Sequence, residues 1–323
     1  MPDDQETRRR TPVPVWLAIV FALICGAGVA VQSRINGELG QQLGDGFVAA
    51  TISFGSGLLI LFVALAIAPS GRRGLGRVAS ALRARSLPWW YVLGGSAGAF
   101  LVLSQGLTAA VLGVALFTVA IVAGQTVSGL VLDRIGLGPG GRRALTPSRV
   151  TGAVLALIAV TWAVSAQLTH SVPLWMLVLP LLAGLGMGWQ QAVNGQVRVV
   201  ASSALSATFI NFVVGTTVLV IATVVHSSIV GWPSSLPTEW WLYLGGAIGC
   251  VFIAGSSLLV RITGVLILGL ATVAGQLLTA LALDLVLPSS AHPIAWTTVA
   301  GTLLALVAVA VASIRWRQPS AVR

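Results

Sequence analysis

Runs of about twenty mostly apolar residues, cut by short polar or proline-bearing stretches, follow one another along the whole chain. Ten runs fall near 14–38, 47–69, 89–109, 112–133, 148–168, 173–198, 204–226, 240–260, 263–286 and 294–315. Each is long enough to cross a hydrocarbon core as a helix. The runs are continuous rather than alternating, which excludes a membrane β-barrel. Pro14, Pro69, Pro88, Pro147, Pro173, Pro288 and Pro293 stand at run ends, where helices stop or start. Pro180 lies inside the sixth run and is expected to bend it.

The pattern is written twice. Ala123-Gly124-Gln125 followed by Asp133 returns as Ala274-Gly275-Gln276 followed by Asp284. Trp89-Trp90 with Gly94-Gly95 returns as Trp240-Trp241 with Gly245-Gly246. Gln32 and Asn36 ahead of Phe54 and Gly57 return as Gln190 and Asn194 ahead of Phe212 and Gly215. Each copy holds five runs, and five is odd, so the second copy enters the membrane upside down. The expected fold class is an all-α polytopic membrane protein with ten transmembrane helices as a 5+5 inverted repeat. Its parts are an N-terminal tail (1–13), a first repeat (14–168), a second, inverted repeat (173–315) and a C-terminal tail (316–323).

Composition agrees with this reading. Charged residues are 8% of the chain, hydrophobic residues 56% and the mean hydropathy is +0.96, so lipid must be the solvent. The net charge of +10 would suggest nucleic acid in a soluble protein. Here the arginines gather in alternate loops and act as topology signals, so no nucleic-acid partner is expected. All but Arg34 fall on one side, which places both termini in the cytoplasm. Cys25 and Cys250 read as small apolar residues, and His170, His226 and His292 as scattered loop residues. No metal or cofactor is expected.

Carboxylates avoid the span centres. Glu38, Asp45 and Asp284 fall at outer ends, and Arg34 and Glu38 are spaced to pair on one helical face. What the membrane interior holds is amide. Gln125 and Gln276 lie near the centres of spans four and nine. Gln32 and Asn36 share one face of span one, displaced outward, and Gln190 and Asn194 mirror them inward in span six. Asn211 and Gln105 have no amide counterpart in the other half. Polar groups at this depth either line a cavity or join helices. Candidate solute-binding residues are therefore Gln125, Gln276, Gln32, Asn36, Gln190, Asn194 and Asn211, with Trp189, Phe54 and Phe212 as neighbouring aromatic faces. The paired tryptophans suit the interfacial belt. Gly94-x-x-x-Gly98, Gly184-x-x-x-Gly188 and Gly245-x-x-x-Gly249 suit close helix packing.

Together the doubled motifs resemble the drug/metabolite transporter superfamily, and within it the YdcZ-like family of the bacterial inner membrane. They are the run from Gly26 through Gln32 to Asn36, Phe54-Gly55-Ser56-Gly57, Trp89-Trp90 to Gly98, and Gly113-Val114 to Asp133, each with its second copy. Most members of that family look like a single five-span unit, and this chain looks like two units fused. The resemblance implies a secondary transporter with a central cavity and alternating access, exporting a small organic solute, as a monomer or homodimer. The small multidrug branch carries a membrane-embedded Glu in its first span for proton coupling. Gln32 stands there by position, and a carboxamide does not titrate. Nothing in the sequence marks an enzyme. The alternative is a membrane scaffold whose amides only hold helices together.

Overall fold

The structure is a computed structural model that describes residues 14–139, 141–142, 145–165, 173–287 and 296–313. Arg8 to Arg10, Arg143, His170, His292, Pro288, Pro293 and the C-terminal arginines lie outside these. Among the described residues every regular element is helical. In chain order they are α1 (Val15–Leu43), α2 (Gly46–Ile67), α3 (Pro69–Arg83), α4 (Gly94–Ser104), α5 (Ala110–Leu112), α6 (Val114–Ile135), α7 (Pro147–Ser165), α8 (Leu174–Ala201), α9 (Ala204–Val230), α10 (Gly245–Val286) and α11 (Trp296–Ser313). Short 3₁₀ turns at Trp89–Leu93 and Trp240–Tyr243 lead into α4 and α10. Among the described residues six helices are long and apolar enough to cross a bilayer, and four shorter apolar segments accompany them. Large apolar side chains such as Ile24, Leu59, Phe62 and Ile221 are exposed on their outer faces, where only lipid suits them. The chain is a polytopic membrane protein.

The same local chemistry builds matching turns in both halves. Gly44 ends α1 in the left-handed conformation, and Asp45 then caps α2 by accepting from the Phe47 and Val48 N–H groups at 2.8 and 3.1 Å. Ser202 and Ser203 repeat the turn between α8 and α9, with Ser203 Oγ accepting from Ser206 N at 3.3 Å. These turns mark two opposite ends of the bundle, the Asp45 end and the Ser203 end.

Matching helices run antiparallel across the repeats. Along α2 and α9, Phe47 stacks on His226, Thr51 shares a 2.7 Å hydrogen bond with Thr223, and Phe54 stacks on Phe212. Along α7 and α11, Gly152 faces Ala312, and Gly301 faces Ala163. The small-residue contacts are reciprocal to the residue. A Cβ on Gly26 would fall 1.9 Å from the Thr272 carbonyl oxygen, and one on Gly184 would fall 2.1 Å from that of Ile121. Only hydrogen at these positions allows backbone-to-backbone approach.

Three features depart from the sequence-based spans. The arginine-rich stretch after α2 is not a plain loop but the amphipathic helix α3, which buries Gly71, Gly74 and Val78 and exposes its arginines. Arg77 Nε donates to the Ala201 carbonyl at 2.9 Å, placing a cation at the carbonyl end of α8. The third run does not end as an α-helix. It widens into a π-helical segment, Gln105–Ala109, before Gly113 breaks the chain at φ +79°. Runs eight and nine form one element, the 42-residue α10. Straight, it would measure about 63 Å. Yet Gly245 meets Asn36 while Gly275 meets Leu23, and those partners are only about 20 Å apart along α1. The element therefore doubles back between Ser256 and Ala271. Its first arm runs antiparallel to α1 and its second arm parallel to it. Pro180 lies within α8, whose helical assignment continues through it.

Candidate functional site

Each repeat lays its amides on the glycine face of the other. Gln32 Nε2, on α1, donates to the Gly245 carbonyl at 2.9 Å and sits over Gly249. Gln190 and Asn194, on α8, sit over Gly98 and Gly94 of α4. Phe54 and Phe212 stack between the two sets at 4.8 Å between ring centroids. Phe54 shares the Gly98 surface with Gln190, and Phe212 shares the Gly249 surface with Gln32. One continuous ribbon of contacts thus runs Gln32, Gly249, Phe212, Phe54, Gly98, Gln190. Two of the Gly-x-x-x-Gly stripes, Gly94 to Gly98 and Gly245 to Gly249, are thus floors under the amides, while the third, Gly184 to Gly188, packs helix on helix against Ile121 and Ser128 of α6.

The two amides without counterparts complete the clusters. Asn211 Oδ1 accepts from Gln190 Nε2 at 3.0 Å. Gln105 Oε1 accepts from Asn36 Nδ2 at 2.7 Å, and Gln105 Nε2 donates to Ser33 Oγ at 2.9 Å. All but Asn194 of these amides are buried, and several polar atoms among or beside them are buried without a partner: Asn36 Oδ1, Ser53 Oγ and Asn211 Nδ2. Unpartnered groups of this kind in a low-dielectric interior call for an explanation, and a bound polar molecule is one. Sequence reading did not find Ser33 or Ser53. The signal was there, since Ser53 occupies in the first half the position of Asn211 in the second.

Other candidates are placed differently. Gln276 is buried and Gln125 half-buried, each beside a glycine packed tightly on the opposite repeat. No recorded contact brings the two together. Trp189 is half-buried next to Gln190 on α8. Arg34 and Glu38 do not pair. Glu38 accepts from Gln42 at 3.3 Å. Asp284 is buried, and its carboxylate accepts from the Val114 and Ala115 N–H groups at 2.9 and 2.7 Å, capping α6 across the repeats. Its counterpart Asp133 instead pairs with Arg149. Among the described residues no three His, Cys, Asp or Glu gather as a metal site.

At the Asp45 end Gly37 packs on Ala109 and Ala110, and Gly40 on the Gly106 carbonyl. At the Ser203 end the matching positions are Gly195, which packs on Pro139, and Arg198.

Comparison with known proteins adds the family. A curated relative, the inner membrane protein YdcZ of Escherichia coli (strain K12), is 28% identical over 117 residues, covering 36% of this chain and 74% of its own length. A solved crystal structure aligns over 93% of this chain and 96% of its own at 18% identity, with a TM-score of 0.53, and shares the fold. Residues 17–162 and 175–311 each match the family described as "Putative inner membrane exporter, YdcZ". The chain therefore belongs to the YdcZ family of the drug/metabolite transporters, as two family units in tandem in the inner membrane.

Proposed function

We propose that the protein is a secondary transporter that moves a small, uncharged or charge-delocalised organic solute by alternating access, in the export direction. Its two family units form a ten-span inverted repeat with both termini in the cytoplasm. Six long and four shorter apolar segments, the doubling back of α10 and the antiparallel pairing of α2 with α9 support this count and inversion. The observation that carries the reading is the exchanged ribbon of amides and phenylalanines. It joins two polar clusters through the middle of the bundle, each held by residues of both repeats and each with buried groups left unpartnered. Solute contacts are assigned to Gln32, Asn36, Gln190, Asn194 and Asn211, with Gln125, Gln276 and Trp189 along the route and Phe54 and Phe212 as the barrier between clusters. The tight glycine packing at the Asp45 end supports a conformation closed toward the outside. Asp284 is engaged by two backbone N–H groups at the Asp45 end, which agrees with transport that does not run through a central carboxylate.

A scaffold reading also has an observation in its favour: Asn36–Gln105 and Gln190–Asn211 are bonds within one repeat that join helices without any solute. Reconstituted vesicles separate the two readings. The transporter reading expects saturable flux of a neutral solute that falls at least tenfold in Gln32→Leu and Gln190→Leu while both variants still insert. Absence of flux across a broad solute panel, with both variants merely melting earlier, would leave the scaffold.

A further inference from the structure

Gln105 is the most deeply engaged side chain of the core. It is fully buried, it opens the π-helical segment, and its carboxamide is satisfied at both ends by α1, through Asn36 and Ser33. The surrounding groups offer more hydrogen bonding than Gln105 uses. Asn36 Oδ1 and Ser53 Oγ converge on Gly245, at 2.2 and 2.7 Å from where a Cβ would stand, and neither has a partner. In the second repeat the position of Gln105 is held by Ser256, whose hydroxyl is also buried and unpartnered. The fold thus accepts a short side chain at this station, and the glutamine of the first half is an addition to it.

π-helical turns concentrate where a helix changes register to serve a site. Here the turn carries a propionamide-like side chain, in effect, onto a donor (Asn36 Nδ2) and an acceptor (Ser33 Oγ), with two idle polar atoms, Asn36 Oδ1 and Ser53 Oγ, in the same cluster. We propose that Gln105 is a built-in stand-in for the solute. Its carboxamide holds the positions that an uncharged carboxamide- or hydroxyl-bearing solute takes when the Asp45 end opens, and the solute enters by displacing it. This assignment rests on the transporter reading and narrows it to a solute class. No charged group belongs to the cluster, so nothing there compensates a carboxylate or phosphate, and burying one unpaired is costly.

Binding and flux test this separately. Gln105→Ser copies the residue at the matching position of the second repeat. With the purified full-length chain, 50 mM propionamide is expected to raise the melting midpoint of this variant by about 2–4 °C and to leave the wild type unchanged. Propionate, of the same shape but charged, is expected to do nothing. Equal effects of the two probes, or none, would overturn the proposal. In vesicles, Gln105→Asn keeps an amide too short to reach both partners. Erythritol is expected to be carried at least tenfold faster than lactate by the wild type, and its KM to fall about threefold in Gln105→Asn. Flux that Gln32→Leu blocks but whose KM ignores Gln105→Asn sinks the stand-in and leaves the transporter. No flux of any solute, even with propionamide rescue intact, removes the transporter and reduces the pocket to a packing detail, which also overturns the proposal.

Discussion

The Gln190–Asn211 pair is buried, so cutting it exposes the cost of a buried amide left without its partner. Gln190→Leu is expected to lower stability by about 1–3 kcal/mol, because Asn211 Oδ1 loses its donor in the interior. A double-mutant cycle with Asn211→Leu should return a coupling of about 0.5–2 kcal/mol, read by thermal unfolding in detergent. Glycines give an opposite pair of outcomes. A Cβ on Gly95 would stand 2.0 Å from the Asn211 carbonyl oxygen, and one on Gly246 2.1 Å from that of Ser53, in mirror-image contacts. Gly95→Ala and Gly246→Ala are each expected to cost about 1–3 kcal/mol, since backbone must move. Gly55 has open space around its Cβ position on the helix α2, so Gly55→Ala should stabilise by about 0.5–1 kcal/mol. A loss of stability in Gly55→Ala equal to that in Gly95→Ala would refute the packing argument.

At the scale of elements, the junction between the π-helical segment and α6 turns on Gly113 and Asp284. Gly113 occupies φ +79° with the Asp284 carboxylate against it. Gly113→Ala is expected to cost at least about 1–2 kcal/mol in backbone strain, before any clash. Asp284→Ala leaves two N–H groups of α6 uncapped and should cost about 0.5–2 kcal/mol, with Asp284→Asn retaining part of it. If both substitutions leave the melting midpoint unchanged, the cap is not holding α6. The helix α3 fixes the opposite end by a separate device, Arg77 on the last carbonyl of α8.

For the whole molecule, the proposed inversion gives a single chain two related polar clusters on opposite sides of one aromatic barrier. It makes a topological prediction. In a chain with Cys25 and Cys250 replaced by alanine, Ser235→Cys, between α9 and α10, should react with a membrane-impermeant thiol reagent from outside the cell. Ser86→Cys, before α4, should react only after permeabilisation. Reaction of both from the same side would rule out the proposed orientation.

Much of this was written in the order of residues. Span length, the doubled motifs and the placement of arginine depend only on local composition, because hydrocarbon thickness and the membrane field act on each segment by itself. The amides and the glycine stripes were legible as residues, yet their relation was not. Gln32 lies 213 residues from the Gly245 carbonyl it binds, and periodicity within one helix says nothing about which distant helix comes to face it. Only the tertiary structure decided that each repeat's amides rest on the other's glycines, that Gln105 turns inward from a π-helical segment, and that Asp284 caps α6 across the repeats. Those outcomes depend on how closely backbones can approach, which is a property of helix pairs and not of any one stretch of chain.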